Sequence, residues 1–167
     1  GIASRARDSY GMCDSFVNAA KYHLEAGRLA EAESHARQSY ERSAADRIWF
    51  IHCVAGIYLG ILAVERGENA LALEYLEEAR CLCAANNFLK QYTIQVHAWI
   101  VKARIEAIRE GRRTGARQWT GRDMRREKKK LGVLVAEALF LAGPWPTHYG
   151  EALRFAAEYH ALFGQAR

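Results

Sequence analysis

Proline is almost absent from this chain of 167 residues, and the two that occur, Pro144 and Pro146, are near its end. The first 143 residues therefore lack the residue that most often breaks a helix. β-branched residues are sparse, and no stretch alternates apolar and polar side chains as a half-buried strand does. Half of the residues are apolar and 26% are charged, as in ordinary globular proteins. We predict an all-α fold and, from the length, a single domain.

Long apolar runs are also missing. The longest, residues 131–142, is too short to span a bilayer and contains Glu137. Arg5, Arg7 and Asp8 near the start lead into polar sequence rather than into the apolar core of a signal peptide. We expect a cytoplasmic protein that does not bind membranes. Because the chain begins with Gly1 rather than Met, we expect it to be a piece of a longer protein.

Neither cysteine usage nor sequence motifs indicate catalysis. Cys13, Cys53, Cys81 and Cys83 fall within helical patterns without a glycosylation sequon, so we expect buried free thiols in a reducing compartment. Cys81 and Cys83 lack a second Cys or His pair at zinc spacing. No phosphate-binding loop, nucleophile motif or paired-carboxylate motif occurs either. We predict no enzyme activity, no metal and no cofactor.

A helical pattern closed by glycine recurs along the chain. Within residues 59–80, one helix ends before Gly67 and a second presents Ala72, Leu76, Ala79 and Cys83 on one face. The small residues Gly60 and Ala72 indicate a close approach of the two helices. Similar patterns end at Gly27 and Gly111, 40 residues before and 44 residues after Gly67. Glycine is favoured at such positions because the residue that ends a helix often has a positive φ, which glycine adopts without strain.

The same patterns predict seven helices. The first covers residues 8–26 and the second residues 29–44. A capping box at Ser43–Asp46 is expected to start the third, and Asn86-Asn87 to end the fourth. The fifth is expected over residues 89–110 and the sixth from Met124. Thr147 is the expected N-cap of the seventh, and residues 112–123 are predicted to form an exposed basic loop.

These residues resemble the tetratricopeptide repeat (TPR) family, whose unit is two antiparallel helices packed through small residues and joined at a glycine. The second repeat offers Leu59, Gly60, Gly67, Ala72, Leu76 and Ala79, and the first offers Phe16, Ala20, Gly27, Ala32 and Ser39. A third keeps Ile100, Ala103 and Gly111 but loses its second helix to the basic loop, and the last two helices look like a degenerate pair. The long spacing is similar to that of TPR domains in bacterial regulators. The resemblance implies an α-solenoid that acts as a protein-binding scaffold.

The resemblance also implies a concave groove lined by the first helix of each repeat. The matching positions are mostly apolar, and an apolar groove must be covered. A partner's amphipathic helix or apolar peptide would cover it, or the last helix of the chain itself. Alternatively, these residues are ordinary core. The positions are Val17, Lys21 and Leu24, then Val54, Ile57, Ile61 and Val64, then Val101, Ile105 and Ile108.

Positive charge is concentrated in residues 112–130, which carry nine basic and two acidic residues, a net charge of +7. The whole chain carries +5, so the remainder is slightly acidic. Basic residues beside an aromatic ring bind phosphates and stack on bases, so nucleic-acid binding is the alternative function. An acidic protein surface would also fit, and a solvated loop is the plainest interpretation. The residues are Arg112, Arg113, Arg117, Trp119, Arg122, Arg125, Arg126, Lys128, Lys129 and Lys130.

Overall fold

The structure of the protein is a computed structural model, which describes residues 2–88, 93–115 and 119–164, with side chains from residue 8 onwards. These residues form seven α-helices and no strand, which confirms the all-α prediction. None of the described helices is long and apolar enough to cross a membrane. The helices are α1 (Ile2–Glu25), α2 (Leu29–Ala45), α3 (Trp49–Glu65), α4 (Asn69–Asn86), α5 (Gln95–Thr114), α6 (Gly121–Ala142) and α7 (Pro146–Gly164).

The chain divides into two compact units, unit 1 (Gly1–Leu89) and unit 2 (Lys90–Arg167). In unit 1, α1 to α4 pack in chain order, and α1 also contacts α3. In unit 2, each of α5, α6 and α7 contacts the other two. Helices that follow one another in the chain thus pack together in both units, which is compatible with a helical repeat. That the two units belong to one repeat domain stays a prediction.

The turns of unit 1 share one geometry. A positive φ occurs at every twentieth residue, at Gly27, Arg47, Gly67 and Asn87. At Gly27 the amide donates to the carbonyl of Leu24, and the next amide donates to His23. The same two bonds recur at Arg47 and Gly67, so the same motif satisfies the last carbonyls of α1, α2 and α3. The helix ends expected at Gly27, Gly67 and Asn87 are confirmed.

The start predicted for α3 is wrong. Ser43 does not begin a helix but lies buried in α2, where its hydroxyl donates to the carbonyl of Tyr40 at 3.1 Å. The turn follows at Asp46–Ile48, and α3 begins at Trp49. Arg47 takes up the left-handed conformation that glycine occupies in the neighbouring turns, and an arginine gives no sequence signal for it.

The close approach of α3 and α4 is confirmed. A Cβ atom placed on Gly60 would lie 2.5 Å from Cγ of Leu76 and 3.3 Å from the carbonyl oxygen of Ala72. Only a residue without a side chain therefore fits at position 60. The predicted inner face of α4 is buried as well, at Ala72, Leu76 and Ala79.

The core of unit 1 includes two clusters of buried side chains. The first joins α1 to α3, and its members are Cys13, Val17, Ile51, Val54 and Ala55. The second joins α1, α2 and α3, and its members are Ala20, Ala32, Ala36, Leu59 and Leu62. Small residues from α1 and α2 thus meet larger ones from α3, which is buried on almost every side.

In unit 2, α5 ends later than expected. It passes Gly111 and ends at Thr114, with Gly115 in the left-handed conformation. Gly111 has another role, since a Cβ atom there would lie 3.3 Å from the indole nitrogen of Trp119. The fifth helix was expected from residue 89, but residues 89–92 lie outside the described part of the chain, and α5 begins at Gln95.

The remaining boundaries of unit 2 also differ from those predicted. Thr120 is the N-cap of α6, in a capping box with Asp123, so α6 begins at Gly121 rather than Met124. Pro146 opens α7, because the first turn of a helix tolerates a residue without an amide hydrogen, and Thr147 is therefore not an N-cap. Helix α6 packs against both α5 and α7, so the prediction that the third repeat lacks its second helix and that the last two helices form a pair stays a prediction.

Candidate functional site

The apolar residues of the predicted groove are almost entirely buried in the folded chain. Apart from Lys21 and Leu24, none of them exposes more than 6% of its surface. Val17 and Val54 belong to the cluster between α1 and α3. Lys21 is exposed and lies 3.9 Å from Glu25, and Leu24 is half-buried. This burial favours the interpretation as core, because a partner would reach these residues only if their cover moved. Partner binding at the groove stays a prediction.

The basic segment is not one continuous loop. Arg112 and Arg113 lie in the last turn of α5, and the stretch from Arg122 to Lys130 lies in α6. Gly115 and the capping box of Thr120 place the two helix ends only a few residues apart. Arg117 lies outside the described residues. The exposed connection is therefore much shorter than the predicted loop.

Trp119, the aromatic residue of the basic segment, is half-buried. Its indole nitrogen faces Gly111 in the last turn of α5, so the ring packs beside the helix end. A ring that stacks on a nucleotide base needs a free face. The half-buried ring beside α5 is therefore less available for stacking than a fully exposed one.

Helix α6 has two opposite faces. Leu131, Val135, Ala138 and Ala142 are buried and recur at helical spacing. On the opposite side, a row of exposed residues follows the same spacing along the whole helix. We name this row the α6 outer face; it consists of Arg122, Arg126, Lys129, Val133, Ala136 and Phe140.

The α6 outer face is basic in its first half and apolar in its second. Val133 is 64% exposed, and Phe140, at 82%, is the most exposed large apolar side chain among the described residues. At 1.5 Å per residue, the face is roughly 27 Å long. Its two halves belong to different segments of the sequence pattern, the charged Arg122–Lys130 and the apolar Leu131–Leu141, so the face as a whole was not predicted. The signal was present, since the six residues are three or four positions apart from one to the next.

The positive charge of this face is not neutralised. Within the described part of the chain, Arg122, Arg126 and Lys129 form no ion pair. The acidic residues of α6 are engaged elsewhere: Asp123 in the capping box, Glu127 at 3.7 Å from Lys130, and Glu137 at 3.5 Å from His97. The capping box also offsets the unfavourable interaction of the basic residues with the positive end of the helix dipole.

An ion-pair network joins α5 and α7. The carboxylate of Glu158 accepts from Lys102 at 2.9 Å and from Arg109 at 2.7 Å, and Glu106 accepts from both cations at 2.8 and 2.6 Å. Burial alone would raise the pKa of Glu158, but the hydrogen bonds from Lys102 and Arg109 together outweigh it and lower the pKa. The network fixes the two helices against each other in unit 2.

Comparisons with family models, with curated proteins and with solved structures found no match for this chain. The assignment to helical repeats therefore rests on the helix order, the repeated turns and the packing. Among the described residues, no three His, Cys, Asp or Glu side chains are placed so that they could hold a metal ion.

Proposed function

We propose that this chain is a non-catalytic, TPR-like module of a larger regulatory protein, and that it binds a partner protein. The docking surface is the α6 outer face, and its occupant is an amphipathic helix that is acidic in one half and apolar in the other. The observation that supports this most directly is the exposure of Val133 and Phe140 in line with three cations that form no ion pair with any other described residue.

The TPR-like part of the proposal is supported by unit 1. Its two helix pairs place small residues at equivalent positions 40 residues apart, Ala20 with Gly60 and Ala32 with Ala72. All four are buried, and Gly60 lies against Ala72 and Leu76. The turns that join the two helices within each pair have the same hydrogen bonds. Such repeats commonly carry binding surfaces on a rigid scaffold.

The chemistry of the α6 outer face defines its occupant. A hydrophobic anchor and a charged rim are typical of protein interfaces, with large side chains such as Phe140 supplying most of the binding energy. Arg122, Arg126 and Lys129 would attract carboxylates and set the direction in which the partner helix lies. A partner helix of about 18 residues would match the length of the face.

Nucleic-acid binding, the alternative, would use the same cations without the apolar half. Phosphate contacts depend on positive charge and lose affinity steeply with salt. Neither Val133 nor Phe140 has a role in them, and Trp119 packs beside Gly111. The apolar half of the face therefore favours a protein partner, and it gives the experiment its discriminating variants.

The test uses two synthetic peptides of about 18 residues, with glutamate in one half and leucine in the other, in either order. Binding is measured by fluorescence anisotropy with the full chain. We expect Arg126→Glu/Lys129→Glu to lower the affinity at least tenfold through charge reversal, and Phe140→Ser to lower it about tenfold through loss of the anchor. The matched control is Arg112→Glu/Arg113→Glu, which changes the charge equally on exposed residues of α5.

The same variants are titrated with a labelled oligonucleotide and with phosphatidylserine-containing vesicles. Oligonucleotide binding that both charge reversals abolish and that Phe140→Ser leaves unchanged would replace the proposal with the alternative. Vesicle binding without peptide binding would contradict it as well. Peptide binding that depends on Phe140 and on Lys129, but not on Arg112, supports it.

A further inference from the structure

Two cysteine side chains from different helices meet in unit 1. Sγ of Cys53 on α3 and Sγ of Cys83 on α4 are 3.3 Å apart. Cys53 is fully buried and Cys83 is half-buried, so one thiol of the pair is within reach of solvent. The sequence predicts only separate structural thiols, because 30 residues lie between the two along the chain.

The packing of α3 on α4 holds the two thiols in this position. Gly60 lets the helices approach closely beside Leu76 and Ala72. Cys53 also donates to the carbonyl of Ala79 at 3.4 Å, which places its sulfur next to the backbone of α4. A disulfide has a sulfur–sulfur distance of about 2.05 Å, so a small movement of the two side chains brings them into bonding range.

The first helix pair provides an internal comparison. Cys13 of α1 is the equivalent of Cys53, 40 residues earlier, and Ser43 of α2 is the equivalent of Cys83. Cys13 is also fully buried, but a serine cannot form a disulfide with it. The thiol pair therefore belongs to the second pair of helices alone, and Cys13 serves as an unpaired control in the same chain.

We propose that Cys53 and Cys83 are a redox-sensitive site that forms a reversible disulfide by exchange with a small-molecule disulfide. The thiolate of Cys83 attacks one sulfur of the oxidant, forms a mixed disulfide and releases the first thiol. The thiolate of Cys53 then attacks the sulfur of Cys83 and displaces the second thiol. The two protein thiols are oxidised and give up their protons, and one oxidant molecule is reduced to two thiols.

The order of these steps follows from the environment of each sulfur. The hydrogen bond with Cys83 and the burial of Cys53 raise the pKa of the Cys53 thiol, so Cys53 is a poor first nucleophile. Cys83 is the more accessible of the two. Once formed, the bond joins α3 to α4 across the turn at Gly67 and restricts the unfolded chain, so the oxidised protein should be more stable.

The test is made on the full chain with Cys81→Ser, because Cys81 is exposed and would react by itself. Excess glutathione disulfide at pH 8 should remove two thiols and leave Cys13 free. Mass spectrometry should show the loss of two hydrogen atoms, a peptide linked through Cys53 and Cys83, and no stable glutathione adduct. Tm should rise by about 5–10 °C and return after reduction.

Two further variants in the same background are the controls. With Cys13→Ser the linked peptide should form as before, and with Cys83→Ser it should not form although the helical content is retained. A persistent glutathione adduct on Cys83, a link that involves Cys13, or a link between two chains would overturn the proposal. An unchanged thiol count would do so as well.

Discussion

Unit 1 turns the chain in the same way at every twentieth residue, whereas unit 2 uses two unrelated connections. After Gly27, Arg47 and Gly67 in unit 1, a single residue separates the positive φ from the next helix. In unit 2, α5 ends at Gly115, residues 116–118 are outside the described part, and Thr120 caps α6. The shared turns give α2, α3 and α4 nearly equal lengths of 17 or 18 residues, so unit 1 is the part of the chain in which a repeat can be recognised.

The two units also differ in charge. Unit 1 contains 9 Lys and Arg against 12 Asp and Glu, a net charge of −3. Unit 2 contains 15 Lys and Arg against 7 Asp and Glu, a net charge of +8. Most apolar residues of α3 are buried in unit 1, although Trp49 is 42% exposed, while Val133 and Phe140 are exposed on the same face as cations in unit 2. We therefore propose that unit 1 acts as the scaffold and that unit 2 carries the docking surface.

The largest effect is expected from a charge placed in the core of unit 1. Ile57→Asp introduces a carboxylate where the side chain is 0% exposed, without a partner for the charge. We expect a loss of more than about 4 kcal/mol, enough to unfold unit 1. Circular dichroism melting would show it, and hydrogen exchange would locate it in α1 to α4.

The matched substitution is Val133→Asp on the α6 outer face, where the side chain is 64% exposed. It should change the free energy of unfolding by no more than about 0.5 kcal/mol. If Ile57→Asp kept its stability and instead lost binding of a partner, the groove prediction would be correct and the proposed division between scaffold and docking surface wrong.

A smaller, pH-dependent effect is expected in unit 2. The pKa of Glu158 is lowered in the folded protein, so its carboxylate stabilises the fold above the ordinary value of 4.5, and this stability is lost as the pH falls through the lower, folded pKa. Glu158→Gln should cost about 1–3 kcal/mol at pH 7 and much less at pH 3. Hydrogen exchange of α5 and α7 at both pH values measures the difference.

The control is Glu110→Gln on α5. Glu110 pairs with Arg113 at 3.3 Å, and both side chains are largely exposed, so the substitution should have little effect at either pH. An equal loss from Glu158→Gln at pH 7 and pH 3 would show that the network with Lys102 and Arg109 acts through packing rather than through charge.

Much of the fold could be predicted because helical periodicity and glycine report on local structure. In α7, the buried residues recur at helical spacing; they are Ala152, Phe155, Ala156, Tyr159 and Phe163. Gly60 was assigned to a close helix contact because only a small residue permits one. These features depend on the spacing of residues within one or two helices, which a sequence displays directly.

The candidate site was harder to predict, because exposure depends on what covers a side chain. The spacing of Ile57 and Ile61 is compatible with both a groove and a core, and only the folded chain shows that they are buried. Val133 and Phe140 belong to an apolar run, yet they face away from the helices that bury Leu131 and Val135. The basic residues that are neighbours in the sequence lie on two different helices, Arg112 and Arg113 on α5 and Arg122–Lys130 on α6.

The smallest expected effect concerns the turn that the sequence did not reveal. Arg47 has a φ of 56° where the neighbouring turns have glycine, and an L residue in this conformation costs about 1–2 kcal/mol. Arg47→Gly removes that strain but raises the entropy of the unfolded chain, so we expect a net gain of about 0.5 kcal/mol, seen as a small rise in the urea midpoint.

Gly67→Ala is the reciprocal variant, since Gly67 has a φ of 77° and a Cβ atom added there would have no neighbour within 4 Å. Its cost, about 1 kcal/mol, would therefore come from backbone strain rather than from a clash. If Arg47→Gly destabilised the protein instead, Arg47 would contribute through its side chain, and the turns of unit 1 would be equivalent in geometry but not in energy. If Arg47→Gly raises the free energy of unfolding and Gly67→Ala lowers it, the two turns prefer the same backbone conformation. One backbone motif, repeated every twenty residues, would then set the regularity of unit 1 whichever residue occupies it.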